Sequence, residues 1–146
     1  MSELKQALLA IFRGSGREHV FETFRQVVAR DPEAAKAFGD PQTMDQVSLG
    51  YFNMIVEYLE GEKREVRDYW IDTFSPALVE QGQTLVDISR EGVMFSVILA
   101  VSIVSELPPE LRIEGTAWAA GFHSGVQADM TRAVLGKLGG ERVEER

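Results

Sequence analysis

Apolar positions recur three and four residues apart along most of the chain, the period of helices that bury one face. Leu4, Leu8, Ile11 and Phe12 mark a first helix, which Gly14-Ser15-Gly16 is expected to end. Val20, Phe21, Phe24, Val27 and Val28 carry the period to Arg30. Asp31-Pro32 then supplies an N-cap and a proline at the first position of a short helix, Pro32 to Phe38. After Gly39 and the Asp40-Pro41 turn, Val47, Tyr51, Met54, Ile55, Tyr58 and Leu59 form a stripe closed by Gly61. Val66, Tyr69, Trp70, Thr73 and Phe74 make the next, which Pro76 is expected to interrupt. Ser75 is placed to cap a new turn to Gln81, and Gly82 suits a left-handed C-terminal position. Thr84 with Asp87 resembles a capping box, and Pro108-Pro109 separates the helix it opens from a last one, Glu110 to about Leu138. The pattern predicts an all-α bundle of about seven helices with no strand.

One segment departs from one-sided patterning. Gly92 to Val104 (GVMFSVILAVSIV) carries no charge, and a helix apolar all round is expected to be surrounded by other elements. The run therefore predicts a central buried helix. Glu91 and Glu106 bound it, leaving it shorter than the roughly 20 apolar residues a bilayer span needs.

Composition narrows the classes further. A chain of 146 residues fits one domain with a self-sufficient core, and 45% hydrophobic with 26% charged residues is ordinary for a globular protein. The formal charge of −8, with no clustering of Lys and Arg, opposes nucleic acid as a partner. Without cysteine there is no disulfide framework, thiolate nucleophile, zinc-thiolate site or iron-sulfur cluster. The N-terminus alternates charged with apolar residues and has no signal-peptide h-region, so a soluble, cytoplasmic protein is the expectation.

Candidate chemistry is sparse. Neither His19 nor His123 has the Glu three residues earlier that would make a metal-binding pair on one helix face, so both are expected to be structural. Gly14-Ser15-Gly16 lacks the preceding strand and the rest of a dinucleotide fingerprint, and is expected to be a linker. Glu106, Glu110 and Glu114 are spaced four apart, but the prolines break the helix between the first two, favouring a solvated corner. Glu60 to Asp68 is expected to be a solvated face with Glu60–Arg64 and Arg64–Asp68 pairs. No Ser/His/Asp grouping appears. No catalytic residue, cofactor or metal is therefore assigned. On the last helix Ala117, Gly121 and Gly125 recur every four residues, a small-residue ridge flanked by Trp118 and Phe122. Such a ridge lets two backbones approach, either against the central helix of the same subunit or across a homodimer interface, and the interface is predicted. Trp70 and Trp118 sit on apolar stripes and are expected to be core anchors.

The segment FSPALVEQGQTLVDISREGVMFSVILAV, Phe74 to Val101, resembles the N-terminal sensory domain of the stressosome co-antagonist family RsbR. Ala77, Leu78, Gln81, Gly82, Thr84 and Leu85 carry the match. Pro76 and the absence of a basic residue just before Gln81 depart from it. The resemblance implies a globin-like, non-haem sensory and dimerisation domain over 1–138. It also implies a homodimer, and a linker to a C-terminal STAS domain that meets other stressosome proteins. The charged segment 139–146 would then be that linker's start or simply a tail. The alternative is a haem-binding globin-type gas sensor. It lacks a proximal histidine between Glu62 and Gln81, where only Tyr69 could substitute by an unusual ligation.

Overall fold

The computed structural model describes residues 2–61 and 63–144, with side chains through Gly136. It is all-α: 91% of it is helical, with no strand among the described residues. The α segments are α1 (Glu3–Ile11), α2 (Arg17–Arg30), α3 (Pro32–Phe38), α4 (Pro41–Gly61), α5 (Glu65–Tyr69), α6 (Ser75–Glu80), α7 (Leu85–Glu106) and α8 (Arg112–Glu144). They merge into fewer rods than the sequence pattern suggests.

Gly14-Ser15-Gly16 does not end the first helix. Phe12–Gly16 is a π-helical turn that carries α1 directly into α2. The wider turn brings the backbone at Gly16 against Phe12, where an added Cβ would lie 2.6 Å from the ring. Here glycine permits a close approach within a continuous rod. Trp70–Phe74 is a second π turn joining α5 to α6. It absorbs Pro76, whose missing N–H would otherwise break the ladder. Ser75 is therefore no cap: it is helical and its hydroxyl donates to the Trp70 carbonyl at 3.0 Å. With these fusions the described residues form six helices rather than about seven.

Other terminal signals are where the sequence puts them. Asp31 accepts from the Glu33 and Ala34 amides at the start of α3. Thr84 and Asp87 form the reciprocal capping box that opens α7. Gly82 takes φ +97°, and the bonds Gly82 N–H to Val79 and Gln83 N–H to Leu78 close α6 as a Schellman turn. At the other end, α8 continues through Gly139 and Gly140 to Glu144, beyond the stop expected near Leu138.

α2 packs on α4 and α7, and α7 packs on α8, with α1 laid across α4, α7 and α8. The centre of the bundle is aromatic. Phe95 of α7 lies 4.5 Å from both Phe24 of α2 and Tyr51 of α4, centroid to centroid. Trp70 is buried beside Tyr51, as expected of a core anchor, whereas Trp118 is half-buried and stacked on Phe122.

α7 is central but not surrounded. Ile88, Glu91, Phe95, Leu99 and Ile103 form its buried face. Val86, Val93, Val97 and Val101 are between 58% and 72% exposed, which corrects the expectation of an all-round buried helix. At 22 residues, α7 is also the one described helix long and apolar enough to cross a bilayer by length and composition.

Candidate functional site

Beneath the aromatic centre lies a cavity of about 50 Å³ bounded by α2, α3, α4, α6, α7, α8 and the Trp70–Phe74 turn. Its wall is mostly aromatic and aliphatic, broken by three polar side chains: Glu91, His123 and Gln127. Gln127 is held, its Nε2 donating to the Ile88 carbonyl at 3.2 Å. His123 Nδ1 and the Tyr51 hydroxyl are hydrogen-bonded at 2.7 Å, while His123 Nε2 meets no partner in hydrogen-bonding geometry. Glu91 Oε1 and Trp70 Nε1 are likewise buried without partners. Natively folded proteins rarely leave such groups unpaired, because each costs its desolvation penalty. Three of them at one cavity mark this as the polar focus of the core.

Their electrostatics follow from burial. Desolvation pushes the Glu91 carboxyl up to about 7, reinforced by the negative Asp31 nearby. Desolvation pushes His123 down to about 4, opposed by the neighbouring Gly92 carbonyl. Burial also raises Tyr51, so its phenol keeps its proton. In the folded chain near neutrality the imidazole is neutral and the carboxyl is close to half-protonated.

These two shifts act on stability with opposite sign. Folded His123 binds fewer protons than unfolded between its pKa of about 4 and the usual 6.5, so it makes stability rise with pH across that window. Folded Glu91 binds more protons than unfolded between 4.5 and about 7, so it makes stability fall as pH rises there. The two largely offset in the wild type. Between pH 5 and 7, Glu91→Gln should expose the rising slope and His123→Gln the falling one, each by about 1–2 kcal/mol. Thermal melts across that range read this directly, and two variants that track the wild type would show that neither group titrates as assigned.

The structure also assembles a cluster that spacing did not predict. At the far end of α7, Glu106 takes the Ser15 hydroxyl at 2.7 Å and His19 Nε2 on the same oxygen. The hydrogen bond from Ser15, foremost, holds the Glu106 carboxyl below its usual range. A serine nucleophile needs its hydroxyl on the imidazole, and here both groups end on the carboxylate instead. The cluster thus ties the Phe12–Gly16 turn to the end of α7. Glu110 and Glu114 are exposed and do not join it. Glu60 pairs with Arg13 and Arg64 with Asp129, so the described salt bridges there run between helices rather than along Glu60 to Asp68. Tyr69 is 65% exposed and turned from the cavity. No group of three potential metal ligands occurs among the described residues.

The small-residue ridge divides. Ala117 is exposed, and a Cβ on Gly121 would meet nothing within 4 Å. A Cβ on Gly125 would lie 3.3 Å from Arg67 Nη2, so Gly125 makes room for the Arg67–Asp129 ion pair of the same chain. Ser96 and Ala100 of α7 line one small void with Trp118 and Ala119 of α8, which fixes the seam between the two helices. At 3.6 residues per turn, Val93 and Val97 come next around α7, and Ala120 and Ala117 come next around α8. The exposed valines and Ala117 thus flank one seam.

No family model, curated protein or solved structure matches the chain.

Glu91 was legible as a boundary of the apolar run but not as a site residue. The available signal was phase: Glu91 falls three after Ile88 and four before Phe95, on the buried face of α7. His123 gave a weaker one, three before buried Val126 and seven before Met130.

Proposed function

We propose that the chain is a non-enzymatic signal-input and dimerisation domain of a stressosome-type regulator, a globin-like bundle that works without haem in the cytoplasm. Its partners would be a second copy, a C-terminal STAS domain and other stressosome proteins, on the strength of the resemblance between Phe74 and Val101. The observation that carries the reading is the exposed face of α7, Val86, Val93, Val97 and Val101, with exposed Ala117 and Ala120 next to the same seam on α8. An exposed apolar face of this kind on a folded domain marks an interaction surface. Two-fold pairing lets one face serve both subunits, and the small residues let the α8 backbones come close. Ser15, His19 and Glu106, the one Ser/His/acid grouping among the described residues, have a geometry unsuited to nucleophilic catalysis, in keeping with a non-enzymatic role. Haem does not fit the central cavity, whose volume of about 50 Å³ is far below the roughly 300–1,000 Å³ of ordinary cofactor pockets, and Tyr69, the substitute ligand between Glu62 and Gln81, is 65% exposed.

Sedimentation of the wild type and Val97→Asp tests the dimer. A wild-type dimer is expected, and a variant that is monomeric yet equally helical and stable, because Val97 is 58% exposed within one chain and two facing carboxylates would repel across the two-fold. A wild-type monomer overturns the reading, and a monomer that floats with lipid vesicles would assign the valine face to a membrane. A Val97→Asp dimer would move the interface elsewhere.

A further inference from the structure

We propose that the central cavity is a binding site for a small organic ammonium ion, held by the Glu91 carboxylate against a box of aromatic rings. The reading begins with the wall. Phe24, Phe38, Tyr51, Trp70, Phe74 and Phe95 supply six ring systems around one space, and the only acid among them is Glu91. Ring faces carry negative quadrupole density, and an aromatic box closed by a carboxylate is chemistry that recognises an alkylated ammonium.

Glu91 is the second observation. The residue is 6% exposed, its Oε1 has no hydrogen-bond partner, and the one side chain hydrogen-bonded to its carboxyl is the neutral amide of Gln83. The neighbouring Arg90 is committed to Asp31 and Asp87, its guanidinium bonding both carboxylates. No Lys or Arg lines the cavity, and the imidazole that does is held neutral by its burial. A buried carboxylate without a cation is costly, whereas one that receives a cation from solution recovers both charge pairing and a hydrogen bond. An anion would be repelled by Glu91 and meet no positive group. A neutral alcohol would gain the hydrogen bond but not the ring faces' attraction. The formal charge of −8 also raises the local concentration of cations over anions.

Size sets the ligand. A volume of about 50 Å³ is several times what one water needs and about a third of an engineered cavity that takes benzene. It suits methylammonium or ethylammonium, and so few heavy atoms limit the dissociation constant to about 1 mM at best.

This assigns a ligand class to the signal-input reading, but it stands on the cavity and not on the dimer. A monomer in sedimentation would leave it intact, and a failure to bind amines would leave the dimer intact. The test is an NMR titration of the full chain with methylammonium and ethylammonium chloride to about 100 mM, against ethanol, sodium acetate and sodium chloride. Saturable shifts at Glu91, Phe95 and His123 are expected with the two amines, with Glu91→Gln at least tenfold weaker while still folded by its thermal melt. Absence of saturation with either amine, equal binding of ethanol, preferential binding of acetate, or undiminished binding by Glu91→Gln would each overturn the proposal. The comparison of ethylammonium with ethanol uses the wild type alone and stands even if the variant misfolds.

Discussion

Replacing Phe95 by alanine is expected to remove about 3–5 kcal/mol of folding stability, the range for truncating a fully packed aromatic. Phe95 is 4% exposed and sits where α2, α4, α7 and α8 converge. Its ring lies 4.5 Å from those of Phe24 and Tyr51 and 5.9 Å from His123, so deletion strips contacts from three helices at once. It also borders an existing void of about 50 Å³, and surroundings that already leave space unfilled have little slack with which to collapse. Denaturant melts of the wild type and variant measure the loss. Val97, two residues on, supplies the contrast: it is 58% exposed, and Val97→Ala should change the stability of the single chain by less than about 0.5 kcal/mol. A Phe95 variant as mild as that would show that α7 is not the pillar of the core.

That contrast also shows how far the sequence could be read. Capping residues were legible because they act locally. Asp31 bonds amides two and three residues on, and Thr84 and Asp87 exchange bonds across a single turn. Breakers were less so, because glycine and proline state only what the backbone finds cheap. Gly16 and Pro76 sit in or beside π turns that keep two helices running, with the Gly16 backbone against the Phe12 ring and the Ser75 hydroxyl on the Trp70 carbonyl. The apolar run of α7 was legible as a core element. Its composition could not say that one flank would lack a neighbour, since valine suits both a buried face and a partner's surface. The site was the least legible part. Glu91, His123, Tyr51 and Trp70 come from four rods of the bundle, and only their convergence makes a cavity. Spacing searches look for chemistry along one helix, and this constellation forms between helices. Ser15, His19 and Glu106 escaped for the same reason.

Breaking the ion pair between Asp31 and Arg90 should be costly in an asymmetric way, and the asymmetry ties the fold to the cavity. Asp31 has a side chain 3% exposed and accepts from Arg90 Nε at 2.6 Å, Arg90 Nη2 at 3.1 Å and two amides of α3. Arg90 is 43% exposed and keeps a second partner in Asp87. Arg90→Ala therefore leaves a buried carboxylate with only amide donors. A loss of about 2–3 kcal/mol is expected near pH 7, below the full cost of a broken buried pair because half-exposed Arg90 is already screened. Asp31→Asn keeps a capping oxygen and leaves a cation that can turn to water and Asp87, so its loss should be about 1 kcal/mol. The pH dependence follows. The hydrogen bonds from Arg90, foremost, hold the Asp31 carboxyl below its usual 3.8. That contribution is fully present above the unfolded pKa and is lost as pH falls through the lower folded value. The gap between wild type and Arg90→Ala should accordingly be widest near neutrality and narrow below about pH 4. Asp31 also helps hold the Glu91 proton on, and removing its charge in Asp31→Asn should lower the pH at which Glu91 ionises. Urea melts at pH 7 and pH 3, with a carboxyl-carbon NMR titration of Glu91, measure both effects. Equal losses in the two variants, or a Glu91 titration that Asp31→Asn leaves in place, would separate the ion pair from the cavity it borders.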